Sequence, residues 1–139
     1  MILLDTNVVS EPLKRSPEPR VTAWLDAQVV DTLYLPSTGL AELLAGLERL
    51  PDGTRKQALL HGLTELISMM IGPRVTPFDR LCAEVYSKLA VTAGAKGVVV
   101  SSGDGQIAAI AAVNGFIVAS HDTSPFRAMG VPVIDPWTA

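Results

Sequence analysis

Four acids carry whatever chemistry this chain performs: Asp5, Glu42, Asp104 and Asp122. Asp5 ends the apolar run Ile2-Leu3-Leu4, which reads as a short, fully buried strand. Asp122 follows a second apolar run, Phe116 to Ala119, after Ser120 and His121. Asp104 opens an uncharged helical segment, and Glu42 falls in the second turn of another helix. Ligands of open α/β sheets bind just beyond the carboxyl ends of the strands, and parallel strands bring Asp5 and Asp122 to one such edge. Carboxylates gathered there repel one another and raise one another's pKa. A divalent cation removes that cost. An all-oxygen donor set with no His/Cys group favours Mg²⁺ or Mn²⁺ over Zn²⁺, and such a metal activates water and steadies charge on a phosphoryl group.

Each of these residues also has a plainer reading. Asp, Thr and Asn are all good N-caps, so Asp5, Thr6 and Asn7 equally describe a helix start. Ser101 to Asp104 matches the S-x-x-D capping pattern. Glu42 lies opposite the leucine stripe of its helix, as a solvated surface acid does, although Ala41, Ala45 and Gly46 beside it are no ordinary polar face. His121 reads either as a general base or as an exposed loop histidine. His61 sits in a helix with no acid motif nearby and reads as structural. Cys82 lies on an apolar stripe with no His partner and reads as core.

The elements that must hold these residues alternate between strand and helix. After the first strand, Asn7 to Lys14 reads as a short helix with Pro12 uncomfortable inside it. Val21, Trp24 and Leu25 stripe a second helix. Thr32 to Leu35 is a strand stopped by Pro36, and Ser37 or Thr38 caps a helix that buries Leu40, Leu43, Leu44 and Leu47. A turn at Pro51-Asp52-Gly53 leads into a long helix from Thr54 to about Met70. Arg74 to Phe78 reads as a third strand. Asp79 starts a helix closed by Gly94 and Gly97, and Val98 to Val100 fits strand or loop equally. Asp104 to Asn114 is apolar all round, so it is buried or packs on another chain. Phe116 to Ala119 and Val131 to Ile134 are the last strands, with a turn of helix near Phe126 between them. Such alternation predicts an α/β fold with a mostly parallel sheet and right-handed crossovers.

The chain's 139 residues suit one domain with a real core. Hydrophobic residues make up 48% and charged ones 18%, and mean hydropathy is +0.34. That points to spare apolar surface for a partner, although a well-filled core gives the same signal. No run is long enough for a membrane helix. The N-terminus has no basic leader, and the lone Cys82 fits a reducing cytoplasm. A net charge of −3 argues against nucleic acid when taken alone. If metal occupies four of the 14 acids, however, 11 Lys and Arg face about as many remaining acids, and the rest of the surface is roughly neutral.

Taken together, the motifs resemble the PIN-domain ribonucleases, and more narrowly the VapC/FitB-like toxins of bacterial toxin–antitoxin pairs. The resemblance runs through Leu3-Leu4-Asp5-Thr6-Asn7-Val8-Val9-Ser10-Glu11, Ala41-Glu42-Leu43 with Gly46, and Phe78-Asp79. Asp104-Gly105-Gln106-Ile107-Ala108-Ala109-Ile110-Ala111 is its most specific part, and Asp122, Phe126, Gly130-Val131 and Pro136-Trp137 complete it. It implies a single PIN-like domain over residues 1–139, with a five-stranded sheet flanked by helices. It also implies Mg²⁺- or Mn²⁺-dependent cutting of RNA. Asp5, Glu42 and Asp104 match the family's core acids and Asp122 its fourth, with Asp5, Asp104 and Asp122 as metal ligands. Thr6 and Ser120 match hydroxyls near the site, and Asn7 a position in the opening motif. The family usually carries Thr-Arg before its final acid, whereas this chain has Ser120-His121. The implied partner is a small DNA-binding antitoxin whose tail wraps the toxin, which is expected to be a homodimer. Two other readings compete: a non-catalytic binding module on the same fold, and a phosphatase using Asp5 as nucleophile. The phosphatase would want a second Asp two residues on, where this chain has Asn7.

Overall fold

The computed structural model describes residues Met1–Ala139. Its frame is a five-stranded sheet in the order β3-β2-β1-β4-β5. β1 (Ile2–Leu4) lies at the centre between β2 (Leu33–Pro36) and β4 (Ile117–Ala119), with β3 (Val75–Thr76) and β5 (Val133–Ile134) at the edges. Every pairing is parallel, as the alternation of elements predicts. Parallel neighbours need long crossovers. Helices supply them: α1 (Thr6–Ser10), α2 (Pro19–Asp26), α3 (Ser37–Glu48), α4 (Thr54–Met70), α5 (Arg80–Ala95), α6 (Ser102–Asn114) and α7 (Ser124–Ala128).

The chain steps outward from β1 to β2 and β3, then returns to the far side of β1 for β4 and β5. Strand order therefore reverses between β1 and β4, and open sheets form their ligand crevice at such a point. Successive side chains on a strand face opposite ways, so Leu3 and Val118 join one core while Leu4 and Ala119 join the other. The first core packs α6 and Phe126 of α7 against the sheet, and the second packs Val8, Val9, Val21 and Leu63.

Several boundaries differ from the sequence expectation for local reasons. The Asn7 to Lys14 helix divides into α1 and a 3-10 turn, Glu11–Leu13, which accommodates Pro12 in its first turn. Pro36 ends β2 and occupies the N-cap position of α3, so neither Ser37 nor Thr38 caps that helix, and Thr38 Oγ1 is buried without a partner. Within the leucine stripe of α3, Leu44 is exposed while Leu40, Leu43 and Leu47 pack on the core. The third and last strands are shorter than their apolar runs. Val98 to Val100 is a loop, and Val99 projects into solvent. α6 begins at Ser102, with Ser101 Oγ accepting the Asp104 N–H at 3.1 Å, so Asp104 sits in the first turn. The all-round apolar character of α6 is explained inside this chain, where Gly105 and Ile107 to Ala111 are buried. No helix is long and apolar enough to cross a membrane.

Candidate active site

The register of the two central strands builds the site. Leu4 faces Ala119, and the Asp5 N–H donates to the Ala119 carbonyl at 3.0 Å, so Asp5 and Ser120 leave the sheet side by side. Asp5 is buried, and its carboxylate is tightly held. Oδ1 accepts the Thr6 N–H at 2.7 Å, which caps α1, and Thr6 Oγ1 lies 3.4 Å from the same oxygen. Oδ2 accepts the Ser120 hydroxyl at 2.7 Å and a longer contact from Asn7 Nδ2 at 3.5 Å. The capping reading of Asp5 therefore holds: one oxygen caps α1, while the other is held by Ser120 and Asn7. Asn7 ties the two strand ends together, since its Nδ2 also approaches Ser120 Oγ at 3.4 Å and its Oδ1 accepts the His121 N–H at 3.4 Å.

Close helix packing brings the other acids in. Gly105, next to Asp104, lies so near α5 that a methyl group there would sit 2.5 Å from the Tyr86 ring. Gly39 plays a similar part in α3, where an added methyl would come 3.0 Å from Pro36 Cγ and 3.4 Å from Thr6 Cγ2. That approach brings Glu42, one turn later, into the lining of the same cleft as Thr6 and Asn7. Burial first, then the charges of Asp5, Asp122 and Glu42, push the Asp104 carboxyl above the usual carboxylate range, against a lowering hydrogen bond from Ser101. The four acids singled out in the sequence therefore share one electrostatic neighbourhood. None of the four makes an ion pair with Lys, Arg or His.

Such an uncompensated all-oxygen set fits a hard divalent cation. No three His, Cys, Asp or Glu side chains converge into a ready-made cage. Mg²⁺ typically keeps several of its waters and takes only one or two carboxylates directly, so Asp5, Asp104 and Asp122 are the candidates that could supply them.

Some residues at the site were not singled out from the sequence. Asp135 directly follows β5 as Asp5 follows β1, and that same signal would have found it. Its Oδ1 accepts the Trp137 N–H at 2.9 Å and lies 3.4 Å from His121 Nδ1. The His121 ring lies over Trp137 with centroids 4.2 Å apart. Glu11 is buried, accepts the Glu18 N–H at 3.0 Å and pairs with Lys14 at 2.8 Å. The bond to Lys14 chiefly lowers its pKa, against the effect of burial. By contrast, His61 is exposed on α4 rather than structural, and Cys82 is buried core as expected, its thiol pushed up by burial.

Beyond Thr6, Asn7 and Glu42 the cleft continues between α1, α3 and α4 with a volume of about 630 Å³. Its lining mixes Leu43, Leu47, Leu59 and Leu63 with the bases Lys14, Arg15 and Arg55 and a single acid, Glu42.

Residues 2–131 match the model of the PIN domain family. The chain is 47% identical over its full length and that of its relative to a plasmid stability protein, StbB, of Pseudomonas syringae pv. tomato. It is 44% identical, over 99% of itself and 98% of the relative, to the VapC ribonuclease Y4jK of Sinorhizobium fredii. It is 40% identical to toxin FitB of Neisseria gonorrhoeae, over 99% of both chains. The solved structure of FitAcB from Neisseria gonorrhoeae superposes with a TM-score of 0.94 at 40% identity, covering both chains completely.

Proposed function

Because this chain belongs to the PIN-domain family, we propose that it is an endoribonuclease that cuts RNA phosphodiester bonds with Mg²⁺ or Mn²⁺ and acts as the toxin of a toxin–antitoxin pair. One observation carries this reading. Asp5, Glu42 and Asp122 are near enough for their charges to add to burial in raising the Asp104 carboxyl, and none of the four acids has a basic partner. Mg²⁺ or Mn²⁺, when bound, supplies Lewis-acid stabilisation of phosphoryl charge and a lowered pKa for water.

The chain's own residues do the rest. Asp5, Asp104 and Asp122 hold the ion. Ser120, Thr6 and Asn7 fix the Asp5 carboxylate, so that little reorganisation is needed when charge develops. Glu42 lines the cleft together with Thr6 and Asn7, and is exposed enough to meet the incoming strand and accept a proton. The phosphatase reading gains no support, since Asn7, in place of a second Asp, serves to tether Asp5.

The cleft suits an antitoxin tail better than a nucleic acid, because Leu13, Leu43, Leu47, Leu59 and Leu63 line it. An apolar stretch of the tail packs on those leucines, and an arginine reaches the acids, where its fork binds carboxylates bidentately. The toxin is a homodimer in this reading. α6 is interior, so that contact falls on other surface, where Leu44, Leu81 and Val91 are exposed.

The test is to add Mn²⁺ to purified, metal-stripped protein and follow cutting of single-stranded RNA. Cutting that depends on metal and is lost in Asp5→Asn supports the reading. RNA left intact at all metal concentrations returns the chain to a non-catalytic binding role.

A further inference from the structure

His121 stands where the family pattern has a basic residue, and its surroundings give it a different job. Its side chain is 58% exposed, yet it makes two contacts and its backbone a third. Its backbone N–H donates to Asn7 Oδ1 at 3.4 Å, its Nδ1 faces Asp135 Oδ1 at 3.4 Å, and its ring lies on Trp137 at 4.2 Å with planes 31° apart. Trp137 is anchored in turn by its N–H to Asp135, by packing on the core and by Arg20 Nη1 donating to its carbonyl at 3.4 Å. Exposed loop side chains ordinarily move freely, and these contacts restrain this one. Since Trp137 covers one face of the imidazole, the open part is the outer face and the edge bearing Nε2.

The residue that carries this ring directly precedes Asp122, and its backbone N–H is tied to the Asp5 neighbourhood. Asn7, which accepts from His121, also contacts Asp5 and Ser120. A strand whose phosphate lies at the acid cluster has its neighbouring base within reach of the imidazole. Unpaired bases of single-stranded RNA are recognised by stacking on aromatic and histidine rings. A ring already restrained loses less freedom on binding. Arg20 makes no ion pair and is exposed beside the stack, where it can meet the next phosphate.

We propose that the outer face of His121, backed by Trp137, is a stacking platform for one unpaired nucleobase next to the bond that is cut. This rests on the ribonuclease reading above and assigns part of its substrate recognition. His121 is then a binding residue, and a ring of another kind can replace it.

The experiment uses full-length protein, single-stranded RNA, and the variants His121→Ala and His121→Phe. Binding is measured with metal chelated, and KM and kcat are measured with Mn²⁺. Loss of one base–aromatic stack should weaken binding by about 5- to 100-fold in His121→Ala. KM should rise in step while kcat stays nearly level. His121→Phe should recover most of the affinity. Fluorescence of Trp137 should change when RNA binds, and that change should vanish in Trp137→Leu. Unchanged affinity and KM in His121→Ala would overturn the platform, as would a fall confined to kcat or a His121→Phe variant as weak as Ala. In those cases wild-type cutting persists and the ribonuclease reading stands. Wild-type protein that neither binds nor cuts RNA would overturn both.

Discussion

Ser120 donates its hydroxyl to Asp5 Oδ2 at 2.7 Å across 115 positions of sequence, inside a buried pocket. This bond joins the ends of the two central strands and aims the carboxylate. Ser120→Ala leaves Oδ2 with only the long Asn7 contact. Removing such an orienting partner typically lowers metal affinity or activity about 10- to 100-fold. Titration calorimetry with Mn²⁺ and single-turnover cutting should both register the loss. Normal values in both would mean that Thr6 and Asn7 suffice.

Asp104→Asn should abolish cutting and leave the metal-free fold at least as stable at neutral pH. Its folded pKa lies above that of an unfolded Asp. The folded state therefore binds the proton more readily, and stability falls as pH rises through the range between the two pKa values. The asparagine variant escapes that loss. Its advantage in melting temperature should appear at pH 7 and disappear below about pH 4, near the unfolded Asp pKa. A variant less stable than wild type at pH 7 would contradict the charge-repulsion account.

Glu11→Gln tests the opposite sign. The Glu11 pKa is depressed by Lys14, so its contribution to stability is present above the ordinary Glu pKa and lost as pH falls through the folded value. The substitution should cost about 1–2 kcal/mol at pH 7, the scale of one charge-assisted bond. The cost should shrink in acid. Urea unfolding at pH 7 and pH 3 measures both, and an equal cost at the two values would rule out the ion pair as its source.

Gly105→Ala forces a methyl group against the Tyr86 ring. Overpacking of this kind costs about 1–3 kcal/mol, and the displaced α6 should carry Asp104 with it and slow cutting. In a Tyr86→Leu background the same change should be far milder. Equal penalties in both backgrounds would show that the contact is not responsible.

Asp5, Glu42, Asp104 and Asp122 were legible because strand ends and helix starts can be read from apolar runs, and because parallel strands share an edge. The leucine stripes of α3 and α4 likewise gave the helices. Glu42 shows the limit: helical periodicity correctly placed it on the exposed face, and only the packing at Gly39 reveals what that face adjoins. Asp135 follows β5 as Asp5 follows β1 and was overlooked although the same signal marks it, while the contact of Trp137 with the His121 ring depends on tertiary packing that no local pattern shows. The 3-10 turn at Pro12 and the cap at Pro36 escaped because local hydrogen bonding, rather than pattern, decides them.

Under the proposed function, the central position of β1 also sets when the molecule becomes dangerous to the cell that makes it. Its second neighbour, β4, and the acids Asp104 and Asp122 are among the later residues to leave the ribosome. A nascent chain halted before Ser102 holds Asp5 and Glu42 alone, with one edge of β1 unpaired. Under the proposed function, an interrupted chain is harmless, and only nearly complete synthesis yields an active enzyme. A partner already present at that moment could meet each molecule as its last strands close.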